Sequence, residues 1–178
     1  MHGVVLFGRP CSGKSTIGKR FAEKYGYVYI SSGDIAREMA GHDRQTGADL
    51  AAGKMAPEEM MRVNIRWAIR RETGMGNNFV LDGFPRFRDQ LDYLQRTFPY
   101  LNLIYAHIWV STDYALYRAR NRGRNDDAAI QARLDYFEQN TYGLLRECKI
   151  TINNNDEYDV EAKADELYKE VMRYAVNS

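Results

Sequence analysis

Cysteine is scarce in this chain. Cys11 and Cys148 are the only two in 178 residues, which is too few for a disulfide scaffold, and they lack the spacing of a metal site. A charge bias is missing as well. With 25 basic and 24 acidic residues the net charge is +1, and that balance speaks against a general nucleic-acid binder. No stretch approaches the ~18 apolar residues of a membrane helix. The N-terminal apolar run Val4–Phe7 stops at a glycine, so it reads as a core strand rather than a signal peptide. His2, His42 and His107 follow no ligand or catalytic spacing and read as structural. The hydrophobic content of 44% and the length suit one domain with a real core. These absences predict a cytoplasmic protein with neither nucleic acid nor membrane as partner, and the chain is separately expected to be a monomer.

What is present begins at residue 3. Val4-Val5-Leu6-Phe7 runs directly into Gly8-Arg9-Pro10-Cys11-Ser12-Gly13-Lys14-Ser15-Thr16, which fits G-x-x-x-x-G-K-[ST]. Each residue type has a physical task there. Glycines let backbone N–H groups turn inward around a phosphate, Lys14 supplies a point charge for the outer phosphates, and Ser15 offers a hydroxyl to Mg²⁺. The helical pattern that follows, with Ile17, Phe21, Ala22 and Tyr25 on one face, aims its positive end at the same anion. The context implies a loop that binds a nucleoside triphosphate.

Further short apolar runs at Tyr27–Ile30, Phe79–Leu81, Leu103–Val110 and Ile150–Ile152 read as strands separated by helical stretches. That alternation predicts an α/β fold with a five-stranded parallel sheet covered on both faces. Pro57-Glu58-Glu59 is a helix start with acids in its first turn. The helix it opens carries Met60, Val63, Ile65, Trp67 and Ile69 and fades at Gly74. A last helix over Val160–Tyr174 places Val160, Ala164, Leu167, Val171 and Ala175 at helical spacing. Asn153–Asp156 reads as a polar loop before it. Residues 32–75 and the arginine-rich stretch 118–127 interrupt the alternation, as substrate-binding arms do.

Phe79-Val80-Leu81-Asp82-Gly83-Phe84-Pro85-Arg86 delivers a carboxylate to a strand's C-terminal end, where ligands sit in open parallel sheets. Asp82 there can hold Mg²⁺ through water. Gly83 and Pro85 shape a turn that presents Arg86, and Ser31–Arg37 places Asp34 and Arg37 after the second strand. Both arginines suit phosphate contact. Arg118, Arg120, Arg122 and Arg124 recur every second residue, so they do not share one helical face and some must leave the helix. Several mobile arginines match a transition state that spreads negative charge over many oxygens.

Taken together, Gly8–Thr16, Ser31–Arg37, Gly53–Pro57 and Asp82–Arg86 with Gln90 resemble the adenylate kinase family of nucleoside monophosphate kinases. Arg122–Asp127 with Arg133-Leu134 is similar to that family's lid and the helix after it. The resemblance implies a P-loop fold with a core of residues 1–31, 76–118 and 128–178, an acceptor-binding insert at 32–75 and a short lid at 119–127. It implies reversible phosphoryl transfer from Mg-ATP to AMP, giving two ADP, by alignment and positive charge in a closed, dry site.

The residue assignments it implies are as follows. Gly8, Cys11, Ser12, Gly13, Lys14, Ser15 and Thr16 cradle the ATP phosphates, and Arg118 lies over the donor adenine. Residues 153–158 touch that adenine through backbone groups. Ser32, Gly33, Arg37, Lys54, Met55, Ala56, Gly83, Phe84, Arg86 and Gln90 hold AMP, with Gln90 on its adenine. Lys14, Arg86, Arg122, Arg124 and Arg133 act on the transferring phosphoryl group, Arg122 also on the donor and Arg124 and Arg133 also on the acceptor. Ser15 binds Mg²⁺ directly, Asp82 and Asp34 through water.

The chain departs from the family at several places. Cys11 and Ser15 stand where the family usually has glycine, and Ser32 where adenylate kinases usually have threonine and pyrimidine-specific relatives alanine. The lid lacks a cysteine quartet, which excludes a zinc lid, and only Gly123 separates Arg122 from Arg124. The alternatives are a UMP/CMP or deoxynucleoside monophosphate kinase and, from another class, a P-loop ATPase acting on a partner.

Overall fold

Val4 and Leu6 point to one side of the first strand and Val5 and Phe7 to the other, and all four are at most 2% exposed. Such a strand has to lie inside a sheet covered on both faces. The computed structural model, which describes residues 1–51, 56–121, 127–155 and 159–176, places it at the centre. Strands β1 (His2–Phe7), β2 (Val28–Ser31), β3 (Phe79–Asp82), β4 (Asn102–Trp109) and β5 (Ile150–Asn153) pair in the order β2-β3-β1-β4-β5. Every pairing is parallel, with Leu6 opposite Asp82 and Ser31 opposite Asp82.

One face is covered by α1 (Lys14–Tyr25) and α8 (Val160–Val176). There Ile17, Phe21, Leu167 and Val171 pack on Val4, Leu6, Val80, Ile104, Ile108 and Ile152. At the rim Arg20 and Lys24 pair with Glu161, and Lys24 with Asp165. The opposite face meets α2 (Ser32–His42), α4 (Glu58–Gly74) and α5 (Arg88–Thr97), whose Met39, Ile65, Ile69, Leu91 and Leu94 pack on Val5, Phe7, Ile30, Phe79 and Leu81. A short helix α3 (Arg44–Ala51) follows α2. Helices α6 (Thr112–Asn121) and α7 (Asp127–Tyr136) meet through Ala119, Ile130 and Leu134, and Cys11 packs against this small cluster. A π-helical turn (Phe137–Thr141) and a 3₁₀ turn (Tyr142–Glu147) lead from α7 to β5.

The parallel α/β architecture agrees with the sequence pattern. Helix α4 buries Met61, Ile65, Ala68 and Ile69, while Met60, Val63 and Trp67 are 43–61% exposed. Apolar residues are spread around the helix and interleaved with Glu59, Arg62, Asn64, Arg66 and Arg70, so its docking against the sheet selects the inner face. Within 119–127, residues 119–121 continue α6, with Ala119 2% exposed, and Asp127 starts α7. None of the described helices is long and apolar enough to cross a membrane.

Candidate functional site

The connection from β1 to β2 passes over β3, and the one from β3 to β4 passes over β1. The chain therefore leaves the neighbouring strands β1 and β3 in opposite directions, which opens a crevice at their C-terminal ends. The loop Gly8–Gly13 follows β1 there, and Asp82 ends β3 with Gly83–Arg86 after it. Gly13 sits at φ 87 at the start of α1, a conformation that L side chains rarely adopt. Cys11, at φ 63, shares that left-handed region despite its side chain. Ser12 is fully buried and its N–H donates to the Arg9 carbonyl at 3.1 Å. Lys14 begins α1, half-buried and without a hydrogen-bond or ion-pair partner among the described residues. Ser15 and Thr16 are exposed on the first turn.

Asp82 is 5% exposed. Its Oδ2 accepts from the Ser15 hydroxyl at 2.5 Å and from the Tyr29 hydroxyl. Burial, reinforced by the Asp82 charge, pushes the Tyr29 hydroxyl far above its ordinary pKa, so it stays a donor. Oδ1 of Asp82 is buried without a hydrogen-bond partner. A carboxylate oxygen left unsatisfied next to a hydroxyl fits a divalent cation, since an orphaned buried acceptor is otherwise costly. Asp34 pairs with Arg37 on the first turn of α2. Burial works against its charged form, but the Arg37 guanidinium prevails and holds the carboxyl below its usual range. Two residues expected on different ligands thus hold each other here.

Beyond Asp82 the chain turns at Gly83, at φ 80, where a Cβ would collide with the Ser32 hydroxyl. The turn brings Arg86 back over it. Arg86 Nε donates to the Gly83 carbonyl at 2.7 Å and Nη2 to Ser32 Oγ at 3.5 Å. Desolvation pushes the Arg86 pKa down, opposed by Tyr136 and Asp82 and assisted by the positive charge of Arg133. Arg133 itself is exposed on α7. Gln90 is 2% exposed, with Oε1 accepting from the Arg86 main-chain N–H and Nε2 donating to Glu58, each at 2.7 Å. Gly33 lies in the first turn of α2, where an added Cβ would meet Arg37 Nη1 at 3.5 Å, and half-buried Ala56 packs on the core. Phe84 differs from expectation. Its ring is 1% exposed and belongs to the core beneath α2, α4 and α5, so only its main chain remains at the turn.

Arg118, on α6, donates to the Ser12 carbonyl at 3.3 Å and the Asn154 carbonyl at 3.0 Å, and its guanidinium lies 4.6 Å from the Tyr114 ring centre. Asn153 closes β5, and Asn154 is fully buried rather than part of an open polar loop. Lys54, Met55, Arg122 and Arg124 lie outside the described residues.

Four side chains make contacts that the local sequence did not announce. Tyr29 reaches Asp82 only because β2 pairs with β3. Asn154 bonds the loop after β1 from just beyond β5, Glu58 holds Gln90, and Thr141 donates to the Arg86 carbonyl at 2.7 Å. For Glu58 the acid in a helix's first turn was visible, but its partner was not.

Residues 7–132 match the family described as AAA domain. The chain is 32% identical to an adenylate kinase of Corynebacterium urealyticum, over 80% of this chain and 83% of that protein. It is also 32% identical to adenylate kinase 1 of Drosophila melanogaster, over 96% and 78% of the two chains. An adenylate kinase of Mycobacterium sp. is 28% identical over 96% of this chain and 97% of its own. With the phosphate loop, Asp82 and the Arg86 turn all at one crevice, the chain belongs to the AAA domain family and, more narrowly, to the adenylate kinase family of nucleoside monophosphate kinases.

Proposed function

We propose that the chain transfers the terminal phosphoryl group of Mg-ATP to AMP, reversibly, giving two ADP. The observation that supports this reading is that two different groups of residues flank Asp82. One is the glycine-shaped loop ending in Lys14 and Ser15. The other is the cluster of Arg86, Ser32 and the doubly bonded Gln90. An ATPase acting on a partner protein has no need of the second.

Lys14, free of protein partners among the described residues, is available to the donor phosphates together with the Gly8–Thr16 backbone. Arg118 flanks the loop from the side of Asn154 and suits stacking on the donor base. Arg86 and Arg37 take the acceptor phosphate, which attacks as an anion, so no proton has to leave it. Its oxygen forms the new P–O bond while the bond from the γ-phosphorus to the β–γ bridging oxygen breaks. Arg133, whose charge already reaches Arg86, meets the negative charge on the equatorial oxygens, and Arg122 and Arg124 belong to the same set. Gln90 reads the adenine edge of AMP. Ser15 and Asp82 would hold Mg²⁺, with Asp34 near, and the metal would neutralise phosphate charge and align the donor. The reading divides the chain into the core 1–31, 76–118 and 128–178, the insert 32–75 and the lid 119–127, and it needs no partner beyond nucleotides.

The test is ADP formation from ATP and Mg²⁺ with AMP, CMP, UMP, dAMP or no acceptor. Fast turnover with AMP and slow turnover with pyrimidine acceptors is expected. ATP consumption at the same rate without any acceptor would replace the kinase by an ATPase.

A further inference from the structure

We infer that Glu58 is a positioning residue that sets acceptor-base specificity, by fixing which end of the Gln90 carboxamide donates and which accepts. The inference rests on the proposed contact between Gln90 and the acceptor base. The two ends of a carboxamide are nearly the same size, so packing alone does not distinguish them. Hydrogen-bond polarity does.

Gln90 Oε1 faces the Arg86 main-chain N–H at 2.7 Å, a group that can only donate. Its Nε2 faces Glu58 Oε2 at 2.7 Å, and an ionised carboxylate can only accept. A flip would set N–H against N–H and oxygen against carboxylate in a residue that is 2% exposed, losing both bonds where water cannot replace them. Glu58 is itself anchored. Its Oε1 accepts from Arg62 Nε at 2.6 Å, one helical turn away, and the Arg62 guanidinium rests 5.3 Å from the Tyr93 ring centre on α5.

Once both ends are engaged, the carboxamide retains one N–H and one lone pair. Presented to a purine, that pair matches adenine, whose ring nitrogen accepts and whose exocyclic amine donates. A 6-oxopurine presents the reverse, a ring N–H and a carbonyl, which suits the flipped carboxamide. Glu58 therefore discriminates a 6-amino from a 6-oxo purine monophosphate without touching either. It does so from α4, while Gln90 stands on α5.

The test compares kcat and KM for AMP and IMP, with ATP as donor, in the wild type, Glu58→Ala, Glu58→Gln, Glu58→Lys and Gln90→Leu. In Glu58→Ala the AMP-over-IMP ratio of kcat/KM should fall by about tenfold or more, the size expected for loss of one charge-assisted hydrogen bond. KM for ATP should stay near the wild-type value. Glu58→Gln, whose carbonyl still accepts, should recover most of the ratio, and Glu58→Lys, which offers only donors, should lower it further. A purely structural role would lower both acceptors' rates and leave the ratio alone. A wild-type ratio in both Glu58→Ala and Glu58→Lys, with the ratio lost in Gln90→Leu, overturns the role of Glu58 and leaves the Gln90 contact standing. A wild-type ratio in Gln90→Leu overturns the contact itself and this inference with it. Should Glu58→Ala fail to fold, Glu58→Lys carries the comparison, since its long side chain keeps the packing of the stem.

Discussion

Asn154 Nδ2 donates to the Ser12 carbonyl at 2.7 Å, joining the end of β5 to the phosphate loop across 142 residues of sequence. The Asn154 N–H is also committed, to the Trp109 carbonyl at 2.9 Å. The conformation of the loop therefore depends on a strand two places away in the sheet. Asn154→Ala leaves the buried Ser12 carbonyl with Arg118 alone, at 3.3 Å. The expected cost is about 1–3 kcal/mol of stability, from a buried acceptor deprived of a partner. A urea melt checks this, and KM for ATP should rise more than KM for AMP.

Lys14 has the opposite character, since nothing among the described residues depends on its ammonium. Lys14→Ala should lower kcat by about 100-fold or more through lost transition-state charge, with a melting temperature close to wild type. Near-native turnover in the purified variant would contradict the phosphate-loop assignment.

The two thiols should separate cleanly. Burial pushes the Cys148 thiol up to about 12, which leaves almost no thiolate at neutral pH, and thiolate is the reactive form. Cys11 is partly exposed on the phosphate loop. A maleimide should label Cys11 first and inhibit turnover, ATP should protect, and Cys11→Ala should be resistant. Mass spectrometry of the labelled peptide identifies the site, and equal labelling of Cys148 would count against the argument.

His107 gives the fold an acid limit. Burial, helped by the positive charge of Arg9, lowers its pKa from 6.5 to about 4. The unfolded chain then binds this proton more readily than the folded one between those values. Stability is fully present above pH 6.5 and is lost as pH falls toward 4, by on the order of 3 kcal/mol at the acid end. Urea midpoints recorded from pH 7 to pH 4 should fall, and His107→Gln should flatten that part of the decline.

Much of the architecture was legible because its signals are local. A buried parallel strand must be apolar on both sides, as Val4–Phe7 is. A phosphate loop must carry glycine where the backbone turns left-handed, as Gly13 does. Helix α4 marks the limit of that logic. Its start at Pro57-Glu58 was readable from capping chemistry, but Met60, Val63 and Trp67 rather than Ala68 carried the apolar signal, and they face outward. When apolar residues are spread around a helix and interleaved with charged ones, only docking tells the inner face from the outer.

By itself the sequence determined the strand–helix alternation, the phosphate loop with Lys14 and Ser15, and the delivery of Asp82 and Arg86 to a strand end. Each is written within a few neighbouring residues whose spacing obeys backbone geometry. Only the tertiary structure decided that Tyr29 bonds Asp82, that Asn154 holds Ser12, and that Glu58 and the Arg86 N–H grip the two ends of Gln90. Hydrogen bonds of that kind depend on which strands become neighbours and how α4 docks beside α5. The Arg86 N–H lies only four positions from Gln90, but no local pattern of residues encodes the other partners, which folding brings from 32 to 142 positions away.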